Sequence, residues 1–348
     1  MSDIDMFETR TMLEPVVQNF APRRFLLKTF FPGVKTFGTK HVDLDFVRGS
    51  RTMAPFVGNG YGSKTVEKRG FTTKTFEPPL VAPDLVTTAD QMLERRPGET
   101  VYAAKSPEER AAEQLGQDLS DLDDMVSRTE EWMAAQTLFT GQVRVLGAGV
   151  DETIYYWPEN PADQPVVTLT GDDLWTADKS DPLANIRGWK RKVSLQSGFT
   201  PRMVVMGAKV VDAFMKNKAI NEALDNRRKE QGKIEPKDLD EGVTFYGTLE
   251  GVDFYGYDEQ SYNDVSGKLE VLVPEDKLLL GAPGRGRMLY GAVAVADQAE
   301  NTFTYYESPR VPDSWVSKKS PEGRIVALKS KPVPNPGVAD AYLVAKVV

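Results

Sequence analysis

Cysteine is absent from this 348-residue chain, and histidine occurs once, at His41. Without thiols there is no disulfide framework, no thiolate nucleophile and no Cys-ligated zinc or iron–sulfur site. With one imidazole, no two-His metal site can form within a single chain, and any Ser-His-Asp triad has to use His41. That residue occupies a polar position of an alternating strand, and no nucleophile-elbow motif exists to partner it. A surface histidine is the plain reading. Basic charge is also in deficit, with 43 Lys+Arg against 51 Asp+Glu for a net charge of −8. That balance argues against a protein that coats DNA or RNA, which needs a basic surface. No run reaches the roughly 18 apolar residues of a membrane span. The acidic start, Met1 to Glu8, lacks the apolar segment of a signal peptide. The expectation is a soluble protein of a reducing compartment, without a cofactor, a metal or a membrane partner.

What is present is organised. Residues 1–35 mix short apolar clusters with Pro15, Pro22 and Pro32, which predicts an irregular arm rather than a packed element. Lys40 to Arg48 alternates, and Thr65 to Glu77 is rich in Thr and Phe, so 36–80 predicts a long two-stranded ribbon with a Gly58-Asn59-Gly60-Tyr61-Gly62 tip. Over 28–77 there are nine Lys/Arg and four Asp/Glu. A two-stranded ribbon is marginal alone in water and needs a surface to lie on.

The clearest helix starts at Ser106-Pro107-Glu108-Glu109, with an N-cap, Pro at the first position and a capping-box Glu. Leu115, Leu119, Leu122, Val126, Thr129 and Met133 then follow at spacings of four and three, one continuous stripe. Gly141 is the expected stop. About 33 residues at ~1.5 Å each make a rod of roughly 50 Å. Its other faces are acidic: Glu108, Glu109, Glu113, Asp118, Asp121, Asp123, Asp124, Glu130 and Glu131, against Arg110 and Arg128. Strand-like segments follow at Gln142 to Leu146, Thr153 to Trp157 and Val166 to Thr170. Beyond Gly171 helices and strands alternate: a helix from Asp181-Pro182 to Ser197-Gly198, a strand Met203 to Met206, helices Lys209 to Lys216 and Ile220 to Lys229, and strands Val243 to Tyr257 and Leu269 to Val273. From about Met288 the chain is mostly β, ending with Val338 to Val348.

Candidate chemistry fails on spacing. In Gly62-Ser63-Lys64-Thr65, Ser63 replaces the Gly that a phosphate loop requires before its Lys. Gly58-x-Gly60 and Gly284-x-Gly286 have Ser63 and Leu289 where a dinucleotide fingerprint needs its third Gly. Asp123-Asp124 and Asp172-Asp173 are adjacent pairs; on a helix such neighbours point about 100° apart, and Asp172-Asp173 suits a helix start. Trp189-Lys190-Arg191-Lys192 and Arg227-Arg228-Lys229 are short basic clusters of the kind that form solvated helix faces. No enzyme is predicted.

One resemblance runs along the chain. It is carried by Phe25-Leu26-Leu27-x-x-Phe30-Phe31, Thr39-x-x-Val42-x-x-Asp45, Arg95-Arg96-Pro97-Gly98-Glu99 and Glu131-Trp132-Met133-Ala134-Ala135-Gln136-x-Leu138-x-x-Gly141. Later come Leu174-Trp175 with Asp181-Pro182-Leu183, Val205-Met206-Gly207, Asp225-Asn226-Arg227-Arg228, Leu279-Leu280-Gly281 and Pro312-x-Ser314-Trp315. In this order over 25–348 they resemble the lambda-like major capsid proteins (E family) of tailed bacteriophages. The resemblance implies an α+β chain with the major capsid fold of tailed phages and herpesviruses. On that pattern 1–35 is the N-terminal arm, 36–100 the extended loop (E-loop) ribbon and its return, and 101–170 a peripheral domain with spine helix 106–140. Residues 171–310 then form the axial domain and 311–348 the return strands of the peripheral domain. It further implies pentamers and hexamers of an icosahedral shell, assembled as a procapsid in the host bacterial cytoplasm, with a portal protein, packaged DNA and optional decoration proteins. Some relatives of the broader fold carry a fused scaffolding segment ahead of the arm; the short stretch before Phe25 leads to the expectation of a separate scaffolding protein. The alternatives are an encapsulating shell without a DNA genome and a carboxylate-dependent hydrolase.

Charge suggests how such subunits meet. Arg48, Arg51, Lys64, Lys68, Arg69 and Lys74 of the ribbon would face acidic groups such as Asp118, Asp121 and Asp124 of a neighbouring spine helix. The plainer alternative is that both sets are solvated faces.

Overall fold

The computed structural model describes residues 24–39, 41–47, 56, 71–88, 91, 107–147, 149–158, 160–161, 164–177, 179–218, 220, 232–239, 242–263, 267–297, 302–317 and 322–348. A short helix α1 (Phe25–Phe30) leads into β1 (Gly33–Phe37), the ribbon strands β2 (Val42–Val47) and β3 (Phe71–Phe76), and β4 (Asp84–Thr87). The spine helix α2 (Pro107–Phe139) follows, then β5 (Gln142–Gly147), β6 (Val150–Tyr155) and β7 (Val166–Thr168). Next come α3 (Pro182–Ser197), β8 (Met203–Met206) and α4 (Ala208–Lys216). The remainder is β: β9 (Gly232–Leu239), β10 (Val243–Leu249), β11 (Val252–Tyr257), β12 (Gln260–Asn263), β13 (Lys268–Val271), β14 (Lys277–Gly281) and β15 (Arg287–Gly291). It closes with β16 (Val293–Asp297), β17 (Thr302–Tyr306), β18 (Val311–Ser317), β19 (Gly323–Lys329), β20 (Pro332–Asn335) and β21 (Tyr342–Lys346).

Two of the larger assemblies hold most of the apolar interior. The first is a mixed seven-stranded sheet in the order β7-β21-β14-β8-β11-β10-β9. Its central strands read as near-continuous apolar runs because both faces are covered. Val204 and Met206, Leu278 and Leu280, and Leu343 and Ala345 point to one side, onto Ile186, Trp189, Val193, Val210 and Phe214 of α3 and α4. Val205, Leu279 and Val344, at the alternate positions, point to the other side, onto α1 and the last turns of α2 through Ala134, Ala135, Leu138 and Phe139. The second assembly is the N-terminal part of α2 laid over the sheet β18-β19-β4, where Leu115, Leu119, Leu122 and Val126 meet Val326 and Leu328. The predicted stripe is thus core, except for half-buried Thr129. Each fully buried aliphatic there contributes about 1.5–3 kcal/mol.

Local signals explain the helix ends. The Asp181 carboxylate accepts the Ala184 N–H at 2.9 Å, with Pro182 at the first position, and Gly198 closes α3 in the left-handed conformation at φ 81°. Gly141 ends the spine helix at φ 64°, and a Cβ there would overlap the indole of Trp157, so this position excludes other residues twice over.

Three expectations need correction. The strand Val243 to Tyr257 is a hairpin, β10 and β11, with Leu249 opposite Val252. The two turn residues Glu250 and Gly251 have φ 54° and 66°, as the tightest hairpin turns require. Lys190 on α3 donates to the Glu250 carbonyl at 2.8 Å, so part of the basic cluster on that helix braces this turn. The Asp172-Asp173 pair forms a 3-10 turn, Gly171–Asp173, without side-chain capping; the helix begins later, on Asp181. Finally, the last third of the proposed irregular arm is packed. Leu26, Leu27, Phe30 and Phe31 are buried, and β1 pairs in parallel with β15. The expected helix beyond Ile220, and with it Arg227-Arg228-Lys229, lies outside the described residues.

Candidate assembly surfaces

The acidic side chains of the spine helix divide into an inward set and an outward set. Glu130 is completely buried. Arg310 grips it with two parallel bonds, Nη1 to Oε1 at 2.5 Å and Nη2 to Oε2 at 3.0 Å, and places its Nε 2.7 Å from Asp123 Oδ1. Arg24, just ahead of α1, completes the cluster on Glu130 Oε2. Burial acts to lower the Arg310 pKa, and the Glu130 carboxylate beside it more than offsets that, so the guanidinium is held above its ordinary value. Asp118 also points inward: it is 5% exposed, and accepts from Thr87 Oγ1 at 3.1 Å and from Gln114 Nε2. This corrects its assignment to a surface facing a neighbour, because period 3.6 turns position 118 towards the sheet beside Leu115 and Leu119. Asp121 and Asp124 are exposed, with Glu109 and Glu113 further along. Asp124 lies 3.7 Å from Arg128 one turn on.

Glu131, one residue on, turns to α1. Its Oε1 accepts the Leu26 N–H at 2.7 Å and the Tyr257 hydroxyl at 3.1 Å, and its Oε2 accepts the Leu27 N–H at 3.1 Å. A six-residue helix leaves most of its end groups without intrahelical partners; here a remote carboxylate serves the N-terminal donors. At the other end Gly284 and Gly286 donate their N–H groups to the Thr29 and Phe30 carbonyls, both at 2.8 Å. A Cβ on Gly286 would lie 2.9 Å from the carbonyl oxygens of Phe30 and Asn335. The Gly284-x-Gly286 pair that invites a phosphate reading is therefore a landing site for α1. Burial pushes the Glu131 carboxyl up to about 7, despite the two backbone N–H bonds, the Tyr257 hydroxyl and nearby Arg24, which all favour its charged form. These contacts fix the point from which the chain ahead of Arg24 departs. Glu131 was visible in the sequence as one of the helix's acidic residues, but its partners 104–126 residues away were not.

The ribbon keeps the predicted pairing, from Val42 opposite Phe76 to Val47 opposite Phe71. Val42 at its base is buried with Met133, Ile154 and Tyr156. Arg48, Arg51, Lys64, Lys68 and Arg69 lie outside the described residues, as do both glycine-rich spots near the ribbon tip. Lys74 belongs to β3, and only its backbone is described. His41 is exposed at the foot of the ribbon. No cluster of three or more metal-ligating side chains occurs among the described residues, and none of their helices is long and apolar enough to cross a membrane. Two open depressions, of about 370 Å³ beside Trp175 and Asn217 and about 480 Å³ beside Gly141 and Trp157, gather Asp212 among lysines and no carboxylate, respectively.

The sequence then fixes the family. The sequence profile described as "Phage major capsid protein E" matches residues 8–347. The chain belongs to that family. It is a shell-forming capsid protein, a structural component of the virion. No curated protein sequence matches it. Among solved structures, a prophage capsid protein of E. coli CFT073 aligns at TM-score 0.69 and 20% identity, covering 98% of this chain and 99% of that one. A phage-related protein of Bordetella bronchiseptica RB50 aligns at TM-score 0.57 and 10% identity, covering 98% and 97%. The capsid of cyanophage P-SCSP1u aligns at TM-score 0.50 and 8% identity, covering 92% and 88%. At these identities the likeness establishes the fold, that of tailed-phage capsids.

Proposed function

We propose that this capsid protein builds the pentamers and hexamers of an icosahedral head around double-stranded DNA. Its assembly takes place in the host bacterial cytoplasm, with a separate scaffolding protein, a portal protein and, in some heads, a decoration protein. The observation that supports it is the set, among the described residues, of four two-stranded pairs, β2–β3, β5–β6, β12–β13 and β16–β17, that stand outside the larger sheets. β5–β6 and β16–β17 bury one face on the subunit, but these pairs and β12–β13 leave Tyr155, Tyr262, Leu269, Phe303 and Tyr305 exposed to water, and an assembly supplies the missing cover. In this reading the arm departs from its fixed point at α1, and the ribbon lies over a neighbouring subunit. Its positive groups, Arg48, Arg51, Lys64, Lys68, Arg69 and Lys74, then face Asp121 and Asp124 on the outward side of the spine helix. Attraction between them sets register more than affinity. The net charge of −8 suits a wall that encloses DNA without gripping it, since like charges repel.

Electron microscopy of the chain expressed alone and with its neighbouring head genes tests the reading. Closed shells or capsomer rings support it, and packaged DNA separates a phage head from a DNA-free encapsulating shell. A discrete monomer under all conditions refutes it. Charge reversal, Lys68→Glu with Arg69→Glu, tests the ribbon contact: shell yield should fall while subunit unfolding is unchanged, and normal shells would reject it.

A further inference from the structure

The β16–β17 hairpin has two unlike faces. Val293, Val295 and Tyr306 look inward and pack with Val311. The alternate residues look outward, and register pairs them across the strands: Ala294 with Tyr305, and Ala296 with Phe303. All four are accessible on that face, the two rings at 72% each. With each ring able to bury about 150–250 Å², roughly 200–350 Å² of aromatic surface faces water. That reaches the low end of the roughly 300–600 Å² of the largest apolar patch on an ordinary monomer, and such patches are often functional. The β12–β13 hairpin shows a lesser version, one exposed pair, Tyr262 with Leu269.

The relief of this face is one-sided. Strand β17 carries a ridge of two rings, and strand β16 carries a furrow floored by two alanines. A two-fold axis parallel to the strands and midway between them carries the ridge of one copy onto the furrow of the other. Because facing residues share a height along the strands, Phe303 of each copy then lies over Ala296 of the other, and Tyr305 over Ala294. We infer that the outer faces of two β16–β17 hairpins pack on each other about a local two-fold axis, as an isologous contact between copies of this chain.

The size of the face says when this happens. A stable pair needs about 800 Å² buried per partner, more than this patch supplies. Two free subunits therefore stay apart, and the contact closes only where other contacts of the shell already hold them. The inference rests on the capsid reading, and it adds which strands meet and with what symmetry.

The absence of cysteine makes the test clean, since every thiol on this chain is an introduced one. Chains carrying Phe303→Cys and chains carrying Ala296→Cys are co-expressed with the neighbouring head genes and treated with a short bismaleimide. Covalent dimers should form in shells and be absent from unassembled subunits. The inward-facing control, Thr304→Cys with Ala296→Cys, should give at least tenfold less. In parallel, Phe303→Ser with Tyr305→Ser should leave the unfolding midpoint of the subunit in place and lower shell yield at least tenfold. Normal yield of shells without the cross-link overturns the inference. So does protection of the Phe303→Cys thiol that arises only when a second virion protein is added, because the occupant is then a different protein. If the unaltered chain makes no shells at all, the capsid reading itself fails, and this contact fails with it.

Discussion

Replacing Glu131 by leucine leaves a side chain of similar reach and removes the acceptor shared by Leu26 N–H, Leu27 N–H and Tyr257 Oη. A buried donor without a partner costs about 1–3 kcal/mol. The Leu26 and Leu27 amides set an upper range of about 2–6 kcal/mol that a small shift of α1 and an entering water would reduce, so the expected loss is about 2–4 kcal/mol of subunit stability. Glu131→Gln is the finer probe. Its one carbonyl oxygen can serve one amide while its NH₂ meets another donor, for a loss of about 1–3 kcal/mol at pH 5.

The two forms then diverge with pH. In the fold the Glu131 carboxyl titrates at about 7 against an ordinary 4.5, so the native state holds this proton more firmly than the unfolded chain. Its contribution is fully present below about 4.5 and is lost as pH rises through 7. At about 1.4 kcal/mol per pH unit this amounts to as much as ~3 kcal/mol. Glutamine does not titrate, so the gap between the native subunit and Glu131→Gln should shrink or reverse between about pH 5 and pH 8. Urea unfolding of unassembled subunits across that range measures the gap. Hydrogen exchange at Leu26 and Leu27 reports the local effect, with faster exchange in Glu131→Leu. A gap independent of pH, together with unchanged exchange at both amides, would show that the carboxylate does not hold α1.

Two further substitutions test the packing that presents these surfaces. Gly286→Ala places a methyl group against the carbonyls of Phe30 and Asn335. It should expel the end of α1 from its site and lower the thermal midpoint, with increased proteolysis ahead of Gly33; an unchanged cleavage pattern counts against the landing site. Leu122→Ala empties a completely buried position between the spine helix and the sheet β18-β19-β4. It should cost about 2–5 kcal/mol in urea unfolding, and a loss under about 1 kcal/mol would mean that this helix is not held by its apolar stripe.

Which features could be read in advance follows from the range of the interactions that make them. The spine helix is local: its cap signals, its stripe from Leu115 to Met133 and its Gly141 stop lie within one segment, and the helix spans Pro107–Phe139. The ribbon pairing was equally legible from period-two alternation. The arm was misjudged where it becomes α1, because Pro22 and Pro32 dominate the local pattern. What makes residues 25–30 helical is the Glu131 carboxylate and the two glycine N–H groups, which arrive from far along the chain. The acidic face of the spine helix was over-counted for the same reason. Composition cannot tell Asp121, in water, from Asp118, which bonds Thr87, or from Glu130, which is locked to Arg310.

By itself the sequence determined that thiol, two-histidine and membrane-spanning helical chemistry are absent, where the long helix lies, and which motifs resemble a capsid family. Those are properties of residue types and short-range periodicity. Only the tertiary structure decided which charges are spent inside the subunit and which remain for neighbours. It alone tied α1 down at both ends, and it alone turned one face of the β16–β17 hairpin to water. The physical reason is that burial and hydrogen-bond partnership are relations between distant segments, fixed only once the sheets and the spine helix have packed.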